Sequence, residues 1–261
     1  MKLLFSETSP DYSRYLYPYV IWAFLEPHET PADALAAGFL PSGPNLDRYY
    51  LVRQIRVPLQ GWQPNSENRR VLRKAVNTRC SLIPKADYCL DEARRQRWLA
   101  FAEERFGAGI MPAERLSKIW EGPVISHVLH FTDALSNAEL GTVLLYLEAP
   151  RVAYYYYAFY DLTGPERNLG MQLMTRAVEQ FAATGFEHLH LGTCVTEAAL
   201  YKTQFEPLEF FNGARWSNNC AELKHLVRRP ATATHRFEEA EFLAFQPESP
   251  AMLAATGAFR A

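Results

Sequence analysis

Apolar and polar positions are most regular in the second half of the chain. Pro123 to Phe131, Gly141 to Glu148 and Arg151 to Tyr160 read as three strands, the last two joined by a tight turn around Ala149-Pro150. Leu169, Leu173, Ala177 and Phe181 recur every four residues, so Pro165 to Ala183 predicts a helix with Pro165 near its first turn. Phe186 to Leu191 predicts a fourth strand, Glu197 to Thr203 a short helical turn, Pro207 a break and Asn218 to Arg229 a last helix. Antiparallel strands followed by a crossover helix and a parallel strand form a mixed sheet with helices against it, an α/β (α+β) arrangement.

Before residue 65 the pattern is broken by Pro27, Pro31, Pro41, Pro44, Pro58 and Pro64 and by Gly38, Gly43 and Gly61, which predicts short elements joined by turns. Arg48 to Leu59 alternates as a strand does. Helices are predicted over Ser66 to Arg79 and Asp91 to Phe106, the second placing Trp98, Ala102 and Phe106 at four-residue steps. The expected organisation is an N-terminal α+β region over 1–110, a core over 111–230 and an acidic appendage over 231–261.

Composition changes this picture little. Of the 261 residues 48% are hydrophobic and 13% aromatic, which excludes a disordered chain. No apolar run approaches the roughly 18 residues of a membrane span, and the first residues lack the pattern of a signal peptide, so a cytoplasmic protein without a membrane partner is expected. Cys80, Cys89, Cys194 and Cys220 form no C-x-x-C pair and are expected reduced.

Charge adds more. A net charge of -2 excludes a surface built wholly for nucleic acid, yet Arg53 to Arg105 holds 12 Lys/Arg against 6 Asp/Glu, a basic block between acidic flanks. Its densest part gathers Arg69, Arg70, Arg73 and Lys74 on one side of the predicted helix, with Ser66 placed to cap it. Two readings stand, a solvated face and a helix that contacts phosphates.

Candidate chemistry is sparse in single motifs. His188 and His190 share a strand face without a carboxylate or Cys at ligand spacing, and His127 and His130 point to opposite faces, so no metal site is expected. Cys194 at a strand end is read as a buried thiol in preference to a nucleophile. Tyr154 to Tyr157 fall two on each face of their strand, where they pack in the core or line a groove that stacks a base. Arg167-Asn168-Leu169-Gly170-Met171-Gln172 resembles the acetyl-CoA pyrophosphate loop of GNAT acyltransferases, whose core has the strand and helix order predicted after residue 120. Gln172 stands where that loop has its second small residue.

Two stretches together carry a more specific resemblance. The first is Gly38-Phe39-Leu40-Pro41-Ser42-Gly43, Tyr50, Arg56-Val57-Pro58-Leu59 and Gln63-Pro64-Asn65-Ser66-Glu67-Asn68-Arg69-Arg70. The second is Tyr160-Asp161, Leu169-Gly170, Leu191-Gly192, Cys194, Tyr201-Lys202, Phe205, Pro207, Glu209 and Trp216. Across residues 35 to 217 the chain resembles the arginyl-tRNA-protein transferases and their leucyl-transferring bacterial relatives. It departs from them in lacking the Cys-x-x-Cys cluster before the Arg-Val strand and in having Leu40-Pro41 where they have Arg-Arg.

The resemblance implies a GNAT-like mixed sheet flanked by helices with an N-terminal α+β extension. It implies a transferase of N-degron chemistry that moves an amino acid from aminoacyl-tRNA to the N-terminal α-amine of a protein or peptide, without a cofactor. Asp161 or Glu209 is the expected carboxylate that orients or deprotonates the amine, and Lys202 the cation holding an acidic acceptor side chain or the tRNA terminus. Tyr157, Tyr201 and Arg56 are expected to bind substrate, and Arg69, Arg70, Arg73 and Lys74 to bind tRNA. Within the same fold the alternative is a CoA-dependent N-acyltransferase, and outside it a non-catalytic tRNA-binding module.

Overall fold

A computed structural model describes residues 1–13, 17–162, 168–229 and 239–245. In chain order the elements begin with β1 (Lys2–Glu7), β2 (Tyr19–Phe24), α1 (Pro31–Ala36), β3 (Phe39–Pro41), β4 (Tyr49–Leu51) and β5 (Gln54–Pro58). Then come α2 (Ser66–Lys74), β6 (Thr78–Pro84), α3 (Glu92–Phe106), α4 (Ala113–Glu121), β7 (His127–Asp133), β8 (Glu139–Glu148) and β9 (Val152–Tyr160). The chain continues through α5 (Leu169–Ala183), β10 (His188–Thr193), a 3-10 helix (Glu197–Gln204), β11 (Glu209–Phe211), β12 (Trp216–Ser217), α6 (Cys220–Arg228) and α7 (Ala240–Ala244). Among the described residues no helix is long and apolar enough to cross a membrane.

The described chain forms two compact units, each assembled from stretches that are separate in sequence. One comprises Met1–Ser42, Asp47–Val57 and the described residues from Leu191 on; the other comprises Gly43–Leu46 and Pro58–His190.

In the second unit the mixed sheet runs β10-β9-β8-β7-β6, with β9 and β10 parallel and the other neighbours antiparallel. Crossover helix α5 joins the two parallel strands, as a parallel pair requires. The chain therefore has the mixed α/β sheet with flanking helices, in the order strand, strand, strand, helix, strand, that its pattern predicts for a GNAT-like core. Leu169, Leu173, Ala177 and Phe181 on α5 are buried as their spacing implies. Gly141 lets α5 approach the sheet, since a Cβ there would lie 2.7 Å from Leu173 and 2.9 Å from the Phe159 carbonyl. The alternate side of the same strands takes α3, where Trp98 stacks on Phe159 with ring centroids 4.7 Å apart.

The first unit carries a four-stranded antiparallel sheet in the order β1-β2-β4-β3, and a smaller ladder in which β11 pairs with β5 and β12. Gly38 of the glycine segment has φ +93°, and a Cβ there would fall 2.5 Å from the Phe211 ring, so both conformation and contact require glycine. Trp216 donates its indole N–H to the Ala36 carbonyl at 2.7 Å.

Several boundaries differ from expectation. Helix α2 ends at Lys74; of the residues expected to complete it, 75–77 form a turn and Thr78 and Arg79 begin β6, because Thr78 to Pro84 pair along their whole length with β7. Its cap is Asn65 and not Ser66: the Asn65 side chain accepts from the Asn68 amide at 2.9 Å. The strand expected over Arg48 to Leu59 divides into β4, which pairs with β2 and β3, and β5, which pairs with β11. Helix α5 begins at Leu169, and Pro165 lies outside the described residues. Most of the appendage expected over 231–261 also lies outside them.

The tyrosine run shows the clearest departure from strict alternation. Along β8 and β9 the register passes from Leu144↔Tyr157 to Leu145↔Tyr155, so Tyr156 is the extra residue of a bulge. That kink brings the Tyr156 and Tyr157 rings to 4.6 Å, neighbours that an unbroken strand would send to opposite faces.

Candidate active site

At its C-terminal end, β9 reaches the one sequence-predicted carboxylate that lines a cleft. Tyr160 and Asp161, with Glu139 at the start of β8 and Arg97, Trp98 and Phe101 of α3, line a cleft of about 330 Å³ in the second unit. The Tyr160 ring lies 4.7 Å from Phe101 and packs over Gly170, where a Cβ would lie 2.5 Å from the tyrosine oxygen. Gly170, read as part of a phosphate loop, is thus needed for Tyr160. Arg167 of that motif lies outside the described residues, and the Gln172 side chain is buried in the interior. Asp161 is exposed, and its amide donates to the Leu140 carbonyl at 3.3 Å.

A polar network that the sequence reading did not single out braces this cleft. Glu139 accepts from Arg94 Nε at 3.0 Å and from Arg97 Nη2 at 2.9 Å. Its other oxygen accepts from the Thr142 hydroxyl at 3.3 Å, and Thr142 hydrogen-bonds the buried Tyr88 hydroxyl at 3.1 Å. Burial pushes the Tyr88 pKa up, against the hydrogen bond it shares with Thr142. The same desolvation lowers the His130 pKa, the imidazole standing 5.7 Å from the Tyr88 ring. Arg94 and Arg97 lie three apart on α3, a spacing visible in the sequence, but Glu139 is more than 40 residues away and no local pattern links them.

The other predicted carboxylate has a closed setting. Glu209 accepts from Arg56 Nε at 2.7 Å across the β5–β11 pair, and the guanidinium lies 3.8 Å from the Trp216 ring centroid. Burial pulls the Arg56 pKa down and Glu209 partly restores it. This places both predicted residues in one stacked ion pair.

Lys202 is likewise engaged. Its ammonium donates to the Thr193 carbonyl at 2.8 Å, beside the turn at Gly192, which has φ +77°. Burial lowers its pKa to about 8, with Cys194 opposing the shift. Burial raises the pKa of the Cys194 thiol, the opposite of what an activated nucleophile needs. Tyr201 is about half exposed, its ring 5.9 Å from the Lys202 ammonium. Tyr157, in the second unit, belongs to an aromatic cluster with Tyr156, Phe106 and Phe159.

On α2, Arg69, Arg73 and Lys74 are exposed, while Arg70 forms an ion pair with Glu67. Arg69 also donates to the Pro64 carbonyl at 2.6 Å. The helix is anchored from α5, whose Arg176 donates to the Ala75 carbonyl at 2.9 Å.

No family model matches the chain. Among curated proteins it is 26% identical over 190 residues to the aspartate/glutamate leucyltransferase of Chromobacterium violaceum, covering 69% of this chain and 76% of that one. With the Marinobacter nauticus enzyme of the same name it shares 28% over 195 residues, or 69% and 78% of the two chains. The curated proteins it is similar to are aspartate/glutamate leucyltransferases, at 25–28% identity. All of these relatives bear the leucyltransferase name, and none an arginyltransferase name. The C-terminal domain of a putative lysylphosphatidylglycerol synthetase from Agrobacterium fabrum aligns with TM-score 0.43 and 14% identity over 59% of this chain and 50% of that one. L-PGS from Bacillus licheniformis aligns with TM-score 0.44 and 10% identity over 69% and 66%.

Proposed function

We propose that the protein transfers a leucyl group from aminoacyl-tRNA to the N-terminal α-amine of a protein that begins with Asp or Glu. The observation that carries this reading is the match to several curated aspartate/glutamate leucyltransferases, each over at least 69% of this chain and 76% of the relative. The mixed sheet with its cleft at the end of β9 is compatible with it.

Chemically, the reaction asks for little more than placement. The acceptor nitrogen attacks the ester carbonyl, a C–N bond forms, the bond to the ribose oxygen breaks, and the proton lost by the amine is matched by one gained at the ribose. An unprotonated amine, a fixed approach and donors for the developing oxyanion are the requirements. Asp161, exposed in the cleft, is the proposed carboxylate that orients the amine and takes its proton. Tyr157 is the proposed platform for the terminal adenosine, and Arg69, Arg73 and Lys74 of α2 in the same unit are the proposed phosphate contacts. Arg56 and Glu209 hold each other and are assigned to the architecture of their strands. Lys202, whose donor is engaged at Thr193, is proposed to hold the turn around Gly192 in place.

Transfer of radiolabelled leucine from Leu-tRNA to peptides beginning with Asp or Glu tests the reading, with Arg-tRNA as the competing donor. Incorporation from Leu-tRNA into acidic peptides is expected. Incorporation from Arg-tRNA alone, or none, overturns it.

A further inference from the structure

We infer that the cleft at the end of β9 binds the first residue of the acceptor protein, with Arg97 reading its acidic side chain; the inference rests on the transferase reading above. The cleft combines one cation at its edge with carboxylates and an aromatic floor. Arg97 is the exposed member of the arginine pair, its side chain 57% accessible against 24% for Arg94. Arg94 is consumed: it donates to Glu139 and to the Cys89 carbonyl at 2.6 Å and lies 3.6 Å from Asp91. Arg97 donates to Glu139 through Nη2 alone, and a guanidinium has five N–H groups in a rigid fork. Glu139, itself fixed by Arg94 and Thr142, holds that fork in one orientation.

A carboxylate ligand suits such a fork because it accepts two parallel N–H bonds. The remaining carboxylates that line the cleft, Asp161 and Glu104, are both exposed and suit a cationic or amine group. Trp98, Phe101 and Tyr160 supply apolar surface in the same lining. An amino-terminal Asp or Glu carries an α-amine and a carboxylate a few bonds apart on a short aliphatic stem. It therefore matches both charges, whereas an amino-terminal Lys or Arg brings a cation to Arg97. The predicted acidic-acceptor cation, Lys202, is a poorer reader, since its ammonium is buried against Thr193.

The test uses the full chain and three peptides identical but for a first residue of Glu, Gln or Lys. Binding is followed by calorimetry without tRNA, and transfer is followed with Leu-tRNA. Wild type is expected to prefer the Glu peptide. Arg97→Glu should weaken Glu-peptide binding by roughly 10- to 100-fold and raise its KM with little change in kcat. Arg97→Lys should retain part of the preference, and the unfolding midpoint of each variant reports on folding separately. A wild type that binds Glu and Gln peptides alike, or an Arg97→Glu protein that keeps the wild-type preference, overturns the inference. The two readings fail differently: Arg97-dependent binding without leucine transfer removes the transferase reading and leaves the acidic-residue site, whereas transfer without Arg97 dependence does the reverse.

Discussion

Two arginine–carboxylate pairs in this molecule have opposite settings. Arg56 and Glu209 meet at 2.7 Å with the guanidinium stacked on Trp216, and the Arg56 side chain is only 12% exposed. Arg97 and Glu139 meet at a similar 2.9 Å, yet Arg97 stands largely in solvent at the edge of a cleft. Contact distance alone therefore says nothing about role. In the first pair each charge is the other's main compensation for lost water, and removing one strands its partner. In the second, solvent compensates Arg97 and the pairing chiefly sets direction, which leaves the group available to a ligand.

The difference can be broken most directly at the open site. Asp161→Asn should lower leucyl transfer by roughly a hundredfold or more, the range of a lost general base, with the unfolding midpoint unchanged. Transfer at the wild-type rate would leave the cleft without a chemical role. Next in size is the closed pair: Glu209→Gln should lower the unfolding free energy by about 2–3 kcal/mol in denaturant titration, because Arg56 remains buried without its carboxylate. A stable variant that has lost transfer would return Glu209 to the catalytic role its place in the sequence implies.

Lys202 sharpens the comparison through pH. Its folded pKa, about 8, lies below the roughly 10.4 of an unfolded lysine, so between those values the unfolded chain binds the extra proton. The Lys202 contribution to stability therefore rises with pH across that window and is least favourable below pH 8, where the buried group stays charged. Unfolding free energies of wild type and Lys202→Met, measured from pH 7 to 10, should shift steadily in favour of wild type. A constant difference would show that the ammonium is solvated. The smallest effect is expected on α2: Arg73→Glu with Lys74→Glu should weaken binding of many tRNA species alike. The same change should flatten log affinity against log salt by about 1–2 units. An unchanged salt slope would make the helix a solvated face.

Local pattern determined a good deal of this. The four-residue spacing of Leu169, Leu173, Ala177 and Phe181 specified the buried face of α5, and the strands over 141–148 and 151–160 lie within one or two residues of β8 and β9. Asp161 was a candidate because the Tyr160-Asp161 pair resembles a family signature, and the structure places that pair at the end of β9, in the lining of a cleft. Periodicity carries such information because side-chain direction repeats with the backbone, so one face is written into neighbouring residues.

What tertiary structure decided lies where partners are distant in sequence. Thr78 to Pro84 became β6 because seven residues of β7 were there to pair with it, although only a short turn separates it from a basic helix. The bulge at Tyr156 depends on the register of β9 against β8, and no property of four successive tyrosines encodes a register. Glu209 and Arg56 are 153 residues apart, and Glu139 and Arg97 are 42 apart; in each case the sequence shows two ordinary charges. Whether a charge is compensated by a partner, by solvent or by a ligand depends on how much water the folded chain leaves around it, and only the packing of the whole unit sets that quantity.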